Sequence, residues 1–204
     1  MALLCSRKLG IEHLSTGQIF REEMAKGSVL GRKVRAYVTN GRLVPDALVI
    51  RVMTSRLASS AHRKGYVLDG FPRTKGQAAG LDRALRRLKQ PLRGAVCLTS
   101  PEPLLVRRLS GRQVCSKCGA NYHARTMRPK KAGICDHCQG ALITRKDDQP
   151  QTIRKRLAID RKTSQPLLDY YKQQKRLHTV DGRGRVETVY GRALKLFKRQ
   201  GWVK

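Results

Sequence analysis

The chain has 204 residues, 40% of them apolar and 28% charged, and its 44 Lys and Arg against 14 Asp and Glu give a formal charge of +30. That length suits one well-cored domain with a small inserted lobe and excludes two ordinary domains. No apolar run reaches transmembrane length and no leader pattern opens the sequence, which predicts a soluble, cytoplasmic protein and not a membrane one.

In chain order, short apolar strands alternate with amphipathic helices, the pattern of an α/β protein with a parallel sheet. MALLCSRKLG reads as a helix already under way, with Leu3, Leu4 and Leu9 available for burial and Gly10 as its stop. IEHLSTG is a short strand running into a turn, where Ser15 or Thr16 caps a helix through QIFREEMAKG. A second helix covers VLGRKVRAYVTNG. A third covers ALVIRVMTSRLAS, whose Leu48, Val49, Val52, Met53 and Leu57 recur at helical spacing and are expected in the core.

Tyr66 to Gly70 reads as a buried parallel strand whose carboxyl end delivers Asp-Gly-Phe-Pro-Arg to the place where open α/β sheets bind ligands. A basic helix around Leu81, Leu85 and Leu88 precedes a strand at 95–100, and Pro101-Glu-Pro103 opens another helix. A long helix from Thr152, interrupted near Pro166, a strand at 178–182 and a helix from Val186 to about Arg199 complete the order. Cys5 and Cys97 lie in apolar contexts and are expected in the core.

Between these elements lies the most informative stretch, Arg107 to Arg156. Cys115 and Cys118 form one C-x-x-C knuckle and Cys135 and Cys138 another, with sixteen residues between them, the spacing that gathers thiolates around zinc. Paired disulfides are disfavoured because nothing marks the chain as secreted, and a redox pair is disfavoured because there are two matched knuckles. Four protein ligands leave no open coordination position, so the predicted zinc is structural. Gly119 and Gly140 are expected to shape the turns that aim backbone amides at sulfur.

Arg108, Arg112, Arg145 and Arg156 flank this loop on both sides, so closing it would gather guanidinium forks that match phosphate oxygens. Asp147 and Asp148 are placed to orient those forks or to cap the next helix. The bland alternative is a solvated basic face.

Six segments, LSTGQIFR at 14–21, GRLVPDALVI at 41–50, GYVLDGFPRTKGQA at 65–78, RRLSGRQVCSKCGANYH at 107–123, RKDDQPQTIRKRL at 145–157 and PLLDYYK at 166–172, resemble the long-form adenylate kinases in order and sequence. The resemblance implies a P-loop-kinase-like parallel sheet flanked by helices. The core would comprise residues 1–111 and 146–204, with an AMP-binding lobe at about 16–45 and a zinc-binding lid at 112–145. It implies reversible phosphoryl transfer, ATP + AMP ⇌ 2 ADP, by a monomer, with magnesium bridging the donor phosphates.

Carried over by residue, the resemblance gives Thr16, Arg21, Val44, Gly70, Arg73 and Gln77 to AMP, with Arg145 and Arg156 also reaching it, and Arg108 and Arg112 to ATP. Gln77 is implied to read adenine through its carboxamide, and Asp69 to lie near magnesium. Arg73, Arg108, Arg112, Arg145, Arg156 and Asp69 are the implied catalytic set.

One departure stands out. The family opens on a strand and a glycine-rich loop of the type G-x-P-G-x-G-K-G-T, and no such loop occurs in the 204 residues. The first central strand is thus absent from this sequence, and the expectation is that an internal methionine of a longer enzyme serves as its start. Neighbouring strands would then carry exposed apolar edges.

The alternative is a catalytically inactive relative whose charge binds nucleic acid or a ribonucleoprotein. Basic residues spread along the whole chain and only 5% aromatics argue against a base-stacking platform. Retention of Arg73, Gln77 and the Arg-Lys-Asp-Asp segment favours the enzyme.

Overall fold

The structure, a computed structural model, describes residues 1–39, 44–58, 65–144 and 148–203, without the side chains of Val38, Thr39, Arg156 and Ile159. It divides into two units, Met1–Thr99 with Thr163–Lys204, and Ser100–Lys162.

In the first unit, helix α1 (Ala2–Leu9) ends at Gly10 and leads into strand β1 (Glu12–Ser15). Helices α2 (Thr16–Ala25), α3 (Val29–Thr39) and α4 (Asp46–Ala58) follow, then strand β2 (Tyr66–Asp69), helix α5 (Lys75–Arg87) and strand β3 (Ala95–Thr99). β1 pairs with β2 in parallel, with Ser15 opposite Asp69. The apolar stripes of the helices close one core over this pair, built from Leu14, Phe20, Val34, Met53, Leu57, Phe71, Leu81 and Leu85. Val49, Met53 and Leu57 are buried as their helical spacing predicts, while Leu48 and Val52 are only partly covered.

The second unit holds helix α6 (Glu102–Ser110) and strands β4 (Arg112–Cys115), β5 (Asn121–His123) and β6 (Leu142–Ile143), an antiparallel sheet in the order β5-β4-β6. Helix α7 (Pro150–Gln173) runs from this unit back into the first, where strand β7 (Leu177–Asp181) pairs in parallel with β3 and helix α8 (Val186–Arg199) follows. Val180, Val189 and Leu196 form a smaller core beneath α8.

The structure departs from the sequence reading at α2, where neither Ser15 nor Thr16 caps the helix through its side chain and the Thr16 hydroxyl turns to Gly70 instead, and at two further elements. β2 was expected to be buried, yet Tyr66, Val67 and Leu68 are half-buried and Asp69 is exposed. The reason lies in the sheet: among the described residues β1–β2 and β3–β7 are separate two-stranded pairs, so β2 has a partner on one side only. Val96 and Leu98, alternating on β3, are likewise 36% and 42% exposed. The expected interruption at Pro166 does not occur either; α7 continues through it. A proline removes one backbone donor from a helix, and a helix of 24 residues tolerates that single loss.

Candidate functional site

Parallel pairing brings the carboxyl ends of β1 and β2 side by side, and the residues just beyond them meet. The buried Thr16 hydroxyl donates to the Gly70 carbonyl at 3.3 Å, and Arg73 Nε donates to the same oxygen at 2.9 Å. Gly70 has φ +71, and a Cβ there would come within 3.2 Å of Arg73 Nη2. A side chain would therefore strain the turn and crowd the guanidinium. Arg21 folds back along α2, and a Cβ on Gly17, next to Thr16, would lie 3.3 Å from Arg21 Nη1.

Gln77 and Asp46 hold Arg73 from behind. The Gln77 carboxamide accepts from the Arg73 backbone N–H at 2.8 Å and donates to Asp46 at 2.8 Å. Thr74 donates to the other Asp46 oxygen at 2.6 Å and accepts from the Gln77 backbone at 3.1 Å, capping α5. Gln77 is buried, and these bonds leave one carboxamide N–H for a ligand. Val44 is packed in the first core. Asp69 is half exposed, with its Oδ2 3.0 Å from His13 Nε2 and its other oxygen bonded to none of the described residues.

In the second unit the four cysteine sulfurs all lie within 4.8 Å of one another, with Cys115 Sγ 3.4 Å from Cys138 Sγ and Cys118 Sγ 3.5 Å from Cys135 Sγ. A tetrahedral ion bonded at about 2.3 Å sets its sulfurs between about 3.7 and 3.8 Å apart, so the group fits a metal ion. None of the six cysteines is in a disulfide.

Backbone N–H groups of Lys117 and Cys118 point at Cys115 Sγ, and that of His137 at Cys135 Sγ, each at 3.4 Å. Burial pushes the Cys135 thiol up, but the Tyr122 hydroxyl and the His137 and Cys138 backbone N–H groups outweigh it and bring it down to about 6. The Tyr122 oxygen accepts from the Asp136 N–H at 2.7 Å, and its own hydrogen remains to be donated to Cys135 Sγ, 3.4 Å away.

The two knuckles share one fold, closed by Gly119 N–H to the Cys115 carbonyl and Gln139 N–H to the Cys135 carbonyl, both at 3.0 Å. Gly119 takes the left-handed position at φ +73, as expected. In the second knuckle that position falls on Gln139, at φ +59, and not on Gly140. Gly140 serves a different need, because a Cβ there would press to 2.7 Å from Lys117 Cβ and 3.0 Å from Cys115 Sγ.

Beside this cluster Arg112 makes a two-pronged pair with Asp148, Nε to Oδ2 at 2.9 Å and Nη2 to Oδ1 at 2.6 Å, and the Asp148 side chain is fully buried. Three of the five guanidinium N–H groups of Arg112 are left over. Arg108 is half-buried on α6. Arg145, Asp147 and the Arg156 side chain lie outside the described residues.

Sequence reading did not single out His13, Asp46 or Tyr122. Their partners Asp69, Gln77 and Cys135 are 56, 31 and 13 residues away, so no local pattern marks them.

The family model for adenylate kinase matches residues 2–176. An adenylate kinase of Fervidobacterium nodosum is 46% identical over 179 residues, 88% of this chain and 82% of the relative. Those of Clostridium tetani and Archaeoglobus fulgidus are 41% and 40% identical, over 89% and 91% of this chain and 84% and 85% of theirs. No helix among the described residues is long and apolar enough to cross a membrane. The matched span includes the Thr16–Gly70–Arg73 turn, the four cysteines and the arginines around them, and the chain belongs to the adenylate kinase family.

Proposed function

We propose that the turn joining Thr16, Gly70 and Arg73 is the AMP-phosphate pocket of this adenylate kinase. The observation that carries the reading is the convergence of the Thr16 hydroxyl and the Arg73 guanidinium on one carbonyl at the ends of β1 and β2. Arg73 and Arg21 bring cationic donors to the phosphate, and Thr16 adds a neutral one. Gln77 offers its remaining N–H to adenine while fixing the Arg73 backbone, and Val44 forms part of the apolar wall.

Arg108, Arg112, Arg145 and Arg156 neutralise charge on the transferring phosphoryl group and its neighbours. Asp148 holds Arg112 in one orientation for that purpose. No covalent intermediate and no general base is needed, because positioning and charge neutralisation supply the rate. The half-exposed Asp69 carboxylate suits magnesium, a hard cation that takes oxygen ligands and keeps several waters. When bound with ATP the ion neutralises the donor phosphates.

Zinc is the metal proposed for Cys115, Cys118, Cys135 and Cys138, since four thiolates in a tetrahedron select it over harder ions. Its role is structural, and the lid it braces is taken as residues 112–145, with 1–111 and 146–204 as core and an AMP lobe at about 16–45. A monomer in the cytoplasm completes the reading, and the six unbridged cysteines suit a reducing compartment.

The test is AMP and ATP titration of the wild type and Arg73→Ala, with coupled ADP formation measured alongside. AMP affinity is expected to fall about 100-fold with ATP affinity within about twofold, and Arg73→Lys should not restore it because the fork is lost. Equal weakening of both nucleotides overturns the assignment.

A further inference from the structure

On the first unit, β7 and α8 frame a groove of about 300 Å³ that has no part in the nucleotide chemistry described above. Thr179, Val180 and Asp181 of β7 form one wall, and Arg192, Lys195 and Arg199 of α8 form the other. These three cations recur at three- and four-residue spacing, so they lie on one face of the helix, and at 1.5 Å per residue they span about 10 Å.

Asp181 is the single carboxylate lining the groove, and Arg183 already binds it, with Nη2 2.9 Å from Oδ2 and Nε 3.0 Å from each oxygen. Arg192 donates to the Asp181 and Arg183 carbonyls and also lies 3.7 Å from Asp181 Oδ2, so Asp181 is shared between two arginines. Lys195 and Arg199 are exposed and have no carboxylate partner among the described residues. A groove with one neutralised acid and three cations on a chain of formal charge +30 is complementary to a row of anions.

We propose that this groove binds the phosphate backbone of single-stranded RNA. The three cations, spread along about 10 Å of one helix face, can meet successive phosphates of a single strand. No aromatic side chain lines the groove, so bases have nothing to stack on and the contact is to backbone alone. Binding is therefore independent of sequence and strongly weakened by salt. This function is separate from phosphoryl transfer and does not depend on the AMP-site assignment.

The experiment is fluorescence anisotropy with a labelled 20-nucleotide oligo(U) RNA from 50 to 200 mM salt. It compares wild type with Lys195→Ala/Arg199→Ala and with Arg83→Ala/Arg87→Ala, which removes two exposed cations from α5. The groove variant is expected to bind at least about tenfold more weakly, with its log–log salt slope shallower by about 1.4, since each phosphate neutralised on a single strand contributes about 0.7. The α5 variant is expected to stay within about threefold of wild type, with both variants keeping the wild-type melting temperature and ADP formation. Equal weakening by the two variants would mean diffuse charge and overturn the groove. Displacement of RNA by saturating ADP would place it in the nucleotide site and overturn the groove as well, as would the absence of RNA binding at 50 mM salt.

Discussion

Arg112 and Asp148, 36 residues apart, meet through two parallel hydrogen bonds, and the carboxylate that accepts them has no exposed side-chain surface. Removing the charge from Asp148 leaves a cation facing a neutral group in a poorly hydrated setting. Asp148→Asn is expected to destabilise the second unit by about 3 kcal/mol, toward the low end for a broken buried pair because Arg112 keeps some contact with water. Urea unfolding of the metal-loaded protein measures this. ATP affinity should fall in parallel as Arg112 loses its fixed orientation.

Metal removal should act on one unit and spare the other. One zinc per chain is expected, and a chelator should melt β4, β5 and β6 while the unit holding β1 and β2 keeps its transition, because binding free energy is folding free energy for the lobe that supplies the ligands. Metal analysis and calorimetry with and without chelator check this. A stoichiometry far below one, with a thermogram unchanged by chelator, contradicts it.

The second knuckle carries its backbone demand on Gln139 and its space demand on Gly140, and the two separate by mutation. Gln139→Gly should stabilise the metal lobe by up to about 1 kcal/mol, since a left-handed position costs an L residue about that much. Gly140→Ala should destabilise it, because the added methyl meets Lys117 Cβ and Cys115 Sγ. Melting temperatures of the two variants, both metal-loaded, should move in opposite directions.

Asp181 supplies a pH dependence. Hydrogen bonds from Arg183 hold its carboxyl down to about 2, below the ordinary 3.8. A carboxyl with a lowered folded-state value binds its proton more weakly when folded, so its contribution is fully present above about pH 4 and is lost as pH falls towards 2. Asp181→Asn should therefore lower the melting temperature at pH 7, and the gap to wild type should close between pH 4 and pH 2. A gap that persists unchanged at pH 2 contradicts the ion-pair account.

Much of this was legible in advance, and the division follows the distance over which each feature is encoded. Cys115 with Cys118 and Cys135 with Cys138 announce a metal because each pair is local. The buried stripe Val49, Met53 and Leu57 announces itself through helical period. The Asp46–Gln77–Thr74 cluster was hidden because Asp46 opens α4 while Thr74 and Gln77 stand at the start of α5, with β2 between them along the chain. β2 misled for a related reason: its apolar run describes a strand flanked on both sides, and neighbours are a property of the sheet. Gly140 misled because a glycine signals either an unusual backbone angle or a lack of room, and sequence does not distinguish them.

The pairing of Ser15 with Asp69 works as a ruler for the chemistry. Both strands are four residues long, and only because their last residues stand opposite each other do Thr16 and Gly70 come within bonding distance. Insertion of one residue between Glu12 and Ser15 would flip every following side chain of that strand to the other face and carry the Thr16 hydroxyl away from its carbonyl. The same insertion in the turn at Gly27 and Ser28 would leave the pair untouched. Tolerance to changes in length is thus set by register, and these two strands, eight residues in all, cannot grow or shrink by one residue without parting that bond.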